Sequence, residues 1–335
     1  MSLSKILGFY SSTNRKTFID GYNYSDVYMI PKKCVVESRS HCDTSLTLKN
    51  HAFSRTFILP VVASNMKTVV DENTCEYFAS KNMFYIMHRF GIDIVQFARN
   101  MYNKGHFVSI SIGINDSSKF VIQKLAEEKI PVEFITIDIA HCWYERAKNM
   151  VSFVRQYFEN SYLIIGNVAS AEAFSEVQSW PVDAIKVGIG SGKVCTTKNK
   201  TGFHVPMVTS ILDCVKVAKK PIIADGGINE HGDIAKALAL GAEMVMAGSL
   251  FAGYDQSAGY IVEINNKKYK EYYGSASEFN KGEHKNVEGK KILIPYKGSM
   301  DLLIKELKED LQSAISYAGG TTLQDLKNHS LFVIL

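Results

Sequence analysis

The sequence predicts an α/β protein folded as a (β/α)8 TIM barrel, with a long flap and hairpin inserted after the eighth strand. Three observations predict it. From Phe57 onward, a short apolar run, a polar junction and an amphipathic stretch recur in order eight times, the last run opening onto a long polar insertion. The apolar runs are rich in Ile, Val and Phe and mostly lack period-two alternation, as expected where both faces of a parallel strand are buried. No GxGxxG follows the first run, which counts against a doubly wound open sheet, while eight successive units favour closure.

The predicted strands are 57–63, 84–87, 107–112, 134–139, 162–165, 184–187, 221–224 and 244–247. The intervening helices are expected over 71–81, 94–102, 117–129, 145–158, 171–179, 208–218 and 231–240. After the eighth strand, residues 252–299 are polar and rich in Gly, Lys and Tyr. A connection of that length inside a compact domain is usually functional or disordered. It carries a hairpin signal, 260–264 and 268–272 turning at Asn265-Asn266, and the remainder reads as a flap over the barrel rim. A helix over 302–317 then closes the barrel and stops at Gly319-Gly320. Residues 1–23 read as a disordered or surface-draped extension, and 24–335 as a single catalytic barrel with the flap at about 252–299.

Composition narrows the class. The 335 residues are 46% hydrophobic and 21% charged, which is ordinary for a globular protein. A net charge of +4 suits an anionic small molecule and is too small to argue for nucleic acid. The six cysteines, at 34, 42, 75, 142, 195 and 214, include no CxxC pair. That scatter points to reduced thiols in a cytoplasmic compartment and against a disulfide frame or zinc site. No stretch approaches the ~20 apolar residues of a membrane span.

In such a barrel the chemistry sits at the C-terminal ends of the strands. The residues expected there are polar or glycine at almost every position: Ser64-Asn65-Met66, His88-Arg89, Gly113, 138–141, Gly166-Asn167, 188–195, 225–227 and Gly248-Ser249. The loop after the sixth strand, with Gly188, Gly190, Gly192 and then Cys195, can set a thiol among oriented backbone dipoles and make it a nucleophile. On spacing alone, a glycine-rich turn with an incidental cysteine is an equal reading. Gly226 and Gly227 after the seventh strand and Gly248 and Ser249 after the eighth form a candidate phosphate site, because loops seven and eight commonly bind phosphate. Asp225 would repel a phosphate, so it is assigned to a neutral partner such as ribose hydroxyls. Cys142 beside His141 is a candidate thiol–imidazole pair, but adjacent residues rarely point the right way for nucleophile and base. His88 is a candidate base or a satisfied rim histidine. Glu288 lies among lysines 281, 285, 290 and 291, and composition alone assigns it to solvent.

Several motifs resemble the IMP dehydrogenase/GMP reductase family. They are Lys186-Val-Gly-Ile-Gly-Ser-Gly-Lys-Val-Cys-Thr-Thr197, Ile223-Ala-Asp-Gly-Gly-Ile228, Met246-Ala-Gly-Ser-Leu-Phe-Ala-Gly253 and Tyr272-Tyr-Gly-Ser-Ala-Ser277. Phe84-Tyr-Ile-Met-His-Arg89, Ile137-Asp-Ile-Ala-His141 and Lys285-Asn-Val-Glu-Gly-Lys290 add to the likeness, which covers roughly 24–320. Within the family the chain is similar to the reductase branch, in the form common in low-GC Gram-positive bacteria. Family dehydrogenases usually carry a regulatory insertion after the second strand and an Arg-Tyr pair in the flap. Here 84–89 run straight into a helix, and 274–288 contain no arginine.

The resemblance implies NADPH-dependent reductive deamination of GMP to IMP, with release of ammonia, through a thioimidate on Cys195. It implies proton handling by Thr197 and Glu288, and base contacts from Ser275, Ala276, Ser277 and Gly289. The GMP phosphate would sit on Gly226, Gly227, Gly248 and Ser249, with Asp225 on the ribose. NADPH would lie near Asp138, Ala140, His141 and Arg89. A monovalent cation, potassium, would be held by the carbonyls of Gly190, Gly192 and Cys195. A homotetramer is implied as well. Ser191 stands where the family usually has proline, which leaves the loop softer, and Cys142 stands where glycine is common. Two alternatives stay open: a dehydrogenase of the family without its regulatory module, and a catalytically silent nucleotide-binding barrel.

Overall fold

The computed structural model describes residues 18–275 and 289–335. The chain enters through a short strand, β1 (Val27–Met29), and a hairpin, β2 (Leu46–Lys49) and β3 (Ser54–Phe57), in which Leu46 pairs with Phe57. This hairpin was not expected from the sequence. The barrel strands follow: β4 (Val61–Ala63), β5 (Ser109–Ile112), β6 (Phe134–Asp138), β7 (Tyr162–Val168), β8 (Ala184–Val187), β9 (Ile222–Asp225) and β10 (Met244–Ala247). They form one parallel sheet in the order β4-β10-β9-β8-β7-β6-β5. Val245 of the last strand pairs with Val61 of the first, so the sheet has curled back on itself in the manner of a TIM barrel.

Two predicted strands differ in detail. The run 57–63 divides because Pro60 has no amide to give to a ladder. Its carbonyl is still used, accepting from the Val245 amide at 2.9 Å. The run 84–87 is buried throughout but joins β5 by a single bridge, Met87 to Ile110. Aromatic packing holds this side of the barrel in place of a ladder. The Phe84 ring lies 5.3 Å from Phe57 and 4.9 Å from Phe134, and Phe57 lies 5.5 Å from Phe107. Such pairs add about 0.5–1.5 kcal/mol each beyond their burial. This aromatic cluster lies towards the N-terminal ends of the strands, and the open end of the barrel is the C-terminal one.

The helices α1 (Glu72–Ser80), α2 (Ile94–Asn103), α3 (Asp116–Glu127), α4 (Glu145–Tyr157), α5 (Ala171–Val177), α6 (Thr197–Thr201), α7 (Met207–Val215) and α8 (His231–Ala239) alternate with the strands. Asp71, Asp93, Asn115 and Ser170 cap α1, α2, α3 and α5, each side chain accepting from a backbone amide three residues on. Each cap contributes about 1 kcal/mol and fixes where a rim loop ends. Ile94, Phe97, Ala98 and Met101 form the buried stripe of α2, the spacing of a helix face.

Beyond the barrel, β11 (Ile261–Ile264) and β12 (Lys267–Tyr273) form the expected hairpin. Asn265 and Asn266 have φ of 50° and 59°, the paired left-handed residues of a type I′ turn. A third strand, β13 (Lys291–Pro295), was not expected; it is an edge strand, where Pro295 is tolerated. The long helix α9 (Met300–Tyr317) follows, and its chain reverses at Gly319 with φ 73°. Also beyond the sequence-based expectation are α10 (Leu323–His329) and β14 (Phe332–Ile334), which pairs with β1 and ties the two ends of the described chain together. Tyr22, in the expected extension, is anchored on α7: its amide donates to Thr209 Oγ1 at 2.8 Å, and its carbonyl accepts from Val208 at 3.0 Å. Among the described residues no helix is long and apolar enough to cross a membrane.

Candidate active site

A cavity of about 780 Å³ opens at the C-terminal ends of the strands. It gathers nearly every described residue named above as a site candidate: Arg89, Asp138, Ala140, His141, Gly190, Gly192, Cys195, Thr197, Asp225, Gly226, Gly227, Gly248, Ser249 and Ser275. Gly289 lies beside it through a backbone bridge to Cys195. Ala276, Ser277 and Glu288 lie outside the described residues.

The cysteine loop leaves β8 through Gly188, whose φ is 144°. A Cβ at Gly188 would fall 2.1 Å from the Asp225 carbonyl oxygen, so only glycine lets loops six and seven meet this closely. The loop then folds back on itself: the Cys195 amide donates to the Gly192 carbonyl at 3.0 Å. The Cys195 thiol is half-buried and donates to Thr197 Oγ1 at 3.1 Å, the first residue of α6. On the other side, the Lys290 amide donates to the Val194 carbonyl at 2.9 Å. Residues 289–290 therefore form a short antiparallel cover over the cysteine loop.

The proposed cation donors are oxygen only, which suits a hard monovalent ion. The Gly192 carbonyl accepts one hydrogen bond and keeps a lone pair. Two hydroxyls of the same loop, Ser191 Oγ and Thr196 Oγ1, are buried with no hydrogen-bond partner. Oxygens in that condition fit a bound cation or water, so the donor set is compatible with the ion.

A charged bridge spans the floor of the cavity. Lys186, on β8 and 2% exposed, donates to Asp138 Oδ1 at 2.5 Å and to Asp225 Oδ2 at 3.1 Å. Asn65 donates to the second oxygen of Asp138 at 3.1 Å. Asn167 donates to Asp225 Oδ2 at 2.8 Å and to the Gly188 carbonyl at 2.7 Å. Burial works to raise the Asp138 carboxyl, but the Lys186 ammonium, the Arg89 guanidinium and the Asn65 amide together hold it below the usual carboxylate range. Burial works to strip the proton from Lys186, and the two carboxylates overcome it, holding Lys186 firmly charged. The sequence signal for Lys186 was a single lysine inside the apolar run 184–187, and sequence reasoning gave it no role.

Loops seven and eight meet where a phosphate site was expected. Gly226 has φ 100°, and a Cβ there would come 3.2 Å from Ser191 Cβ, so the cysteine loop abuts this cradle. A Cβ at Gly248 would fall 2.3 Å from the Tyr272 hydroxyl and 3.3 Å from Ser64 Oγ. Tyr272, buried on β12, thus delivers a phenol to the glycine cradle from the hairpin after the barrel. Sequence reasoning quoted Tyr272 within a motif and assigned it no contact.

Ala140 and His141 are exposed on the rim after β6. Arg89 lies with its guanidinium carbon 4.4 Å over the Phe90 ring, and its Nε is buried without a partner. A cationic side chain with an unspent buried donor, facing this cavity beside Asp138, fits a second, anionic ligand. His88, by contrast, is a satisfied rim residue. Burial, and then the charge of Lys67, pull its pKa down to about 4, and its Nδ1 accepts from the Phe90 amide at 3.1 Å. Cys142 is buried, and burial pushes its thiol up to about 12, so it is no rival to Cys195.

Fold and site together define a parallel-barrel protein whose cavity at the C-terminal strand ends is lined by a half-buried thiol, the glycines of loops seven and eight, and a polar rim at Arg89, Asp138 and His141. Its sequence profile is that of the IMP dehydrogenase / GMP reductase domain over residues 21–335, and the chain belongs to that family. A protein of Chromobacterium violaceum named GMP reductase is 57% identical over 305 residues, covering 91% of this chain and 95% of its own. GMP reductases of Paracidovorax citrulli and Variovorax paradoxus are each 50% identical, covering 94% and 91% of this chain and 96% and 94% of theirs.

Proposed function

We propose that the chain is an NADPH-dependent GMP reductase, converting GMP to IMP and ammonia. The observation that carries the reading is the Cys195 thiol, 3.1 Å from the Thr197 hydroxyl, on a loop that abuts the glycine cradle. The names of the relatives, which this chain matches over nine-tenths of its length, support it.

Cys195 attacks C2 of the guanine, forming a C–S bond, and the exocyclic nitrogen leaves as ammonia. The thioimidate splits one hard displacement into two easier steps. NADPH, when bound, would supply a hydride to C2; the C–S bond then breaks, the electron pair returns to the Cys195 sulfur and IMP is released. Thr197 and Glu288 move the protons that let ammonia depart. The amides of Gly226, Gly227, Gly248 and Ser249 hold the phosphate, and Asp225 accepts from the ribose. Ser275, Ala276, Ser277 and Gly289 contact the base. Asp138, Ala140, His141 and Arg89 bind NADPH. The carbonyls of Gly190, Gly192 and Cys195 hold potassium, which keeps the cysteine loop in shape. Residues 24–335 act as one catalytic barrel, with 252–299 as its flap, assembled as a homotetramer in the cytoplasm.

The test is oxidation of NADPH that requires GMP, measured with and without potassium. NADH formation from IMP and NAD would assign the chain to the dehydrogenase branch instead. No turnover under any of these conditions would favour a silent nucleotide-binding barrel.

A further inference from the structure

The Lys186 ammonium is the one group in direct contact with both Asp138 and Asp225 among the described residues. Resting on the reading of these two carboxylates as the NADPH-side and GMP-ribose contacts, we propose that Lys186 is a positioning residue that couples the two nucleotide subsites. It acts through Asp138 and Asp225 and touches neither reacting atom.

The geometry supports this in three ways. First, two carboxylates from β6 and β9, with β7 and β8 between them in the sheet, share one cation, at 2.5 and 3.1 Å. Second, the hydrogen bonds described to Asp225 fall on Oδ2, from Asn167 and Lys186, so Oδ1 is left for a ligand hydroxyl. Third, the backbone is shaped around the lysine: a Cβ on Gly166 would lie 2.4 Å from Lys186 Cβ. Glycine at 166, within β7, is what lets the side chain cross the floor.

A buried charge is tolerated only while paired, and each carboxylate depends on the same ammonium. A ligand that draws Asp225 towards its ribose changes how the ammonium is shared with Asp138. The two sites are then linked, and the linkage must be reciprocal in binding. Without the ammonium, two part-buried carboxylates are left facing each other, and both subsites lose their shape.

The experiment uses full-length protein with GMP and NADP+ as separate calorimetric probes, alongside steady-state kinetics. Lys186→Met is expected to weaken GMP and NADP+ binding about tenfold or more each, the scale of stripping one partner from a buried charge pair. KM for both substrates rises with it, and kcat falls less. In the double variant Lys186→Met/Asp138→Asn, removing the facing charge is expected to restore GMP binding by about threefold or more relative to Lys186→Met alone. A lysine acting on Asp225 alone would not produce that recovery, because Asp138 is assigned to the other nucleotide. Circular dichroism and thermal melts report whether each variant is folded. Should Lys186→Met fail to fold, Asp138→Asn alone decides. Coupling requires it to shift GMP affinity about threefold or more with no dinucleotide present. Unchanged GMP binding in Asp138→Asn, or in folded Lys186→Met, overturns the proposal. Wild-type protein that neither binds GMP nor oxidises NADPH with it overturns the functional reading instead.

Discussion

The Cys195 thiol donates to the Thr197 hydroxyl at 3.1 Å, across the junction where the glycine-rich loop becomes α6. A hydroxyl at that distance can pass a proton to or from a group bonded to the sulfur's target carbon. Thr197→Val keeps the shape of the side chain and removes the hydroxyl. The expected result is a loss of about a hundredfold in kcat with GMP affinity kept, the lower range for a positioned acid–base group. Glu288→Gln is expected to slow ammonia release by a similar factor. Normal rates in both variants would remove these residues from the proton path.

The close approach of Gly248 to Tyr272 gives a second prediction. Any side chain at 248 would begin 2.3 Å from the Tyr272 hydroxyl, so the phenol and the hairpin strand that carries it must move. Gly248→Ala is expected to raise KM for GMP about tenfold, roughly 1.4 kcal/mol of binding, with a smaller change in kcat. The KM for NADPH should stay near its wild-type value. Equal losses for both substrates would place Tyr272 outside the phosphate cradle.

His88 sets a pH dependence of stability. Its pKa is lowered from the ordinary 6.5 to about 4 by burial first and by Lys67 second. The unfolded chain therefore binds more protons than the folded one between these values. The contribution of neutral His88 is fully present above about pH 6.5 and is lost as pH falls towards 4. A shift of this size corresponds to about 3 kcal/mol. His88→Gln retains an acceptor for the Phe90 amide and does not titrate. Urea unfolding at pH 7 and pH 4.5 should show a smaller loss of stability on acidification in the variant than in the wild type. Equal losses would show that His88 is not held neutral.

Stability of the barrel floor is a fourth prediction. Phe84 is fully buried and packs against Phe57 and Phe134 at the seam where the ladder is a single bridge. Phe84→Ala is expected to cost about 3–5 kcal/mol in chemical unfolding. GMP-dependent turnover at temperatures well below the melt should change little, since the cluster lies away from the cavity. Loss of turnover in a well-folded variant would contradict that separation.

Much of this architecture was legible in the sequence because the barrel strands announce themselves. Ile164 and Ile165 sit in an uninterrupted apolar run, and Ile185 and Val187 in one broken only by Lys186. Caps such as Asp71 and Asn115 mark where helices begin. The hairpin turn was legible from Asn265-Asn266 for the same local reason. Elements held by distant partners were not. Strand β14 exists because it pairs with β1 across the chain, and β13 because it pairs with β12. No local pattern in Phe332–Ile334 reports a partner some three hundred residues away. The candidate site divides in the same way. Cys195 and the glycine cradles carry their own spacing, whereas Lys186 gains meaning only when β6 and β9 bring Asp138 and Asp225 to either side of it. Tyr272 likewise needs the hairpin to fold over loop eight before its hydroxyl meets Gly248.

The most direct test compares wild type with Cys195→Ala in an assay that counts NADPH consumed and ammonia released when GMP is supplied. The expected result is one ammonia per NADPH in the wild type. The variant should retain GMP binding while losing about three orders of magnitude of turnover or more, the scale of deleting a nucleophile. NADPH consumed without ammonia, or full turnover in Cys195→Ala, would contradict reductive deamination through that thiol.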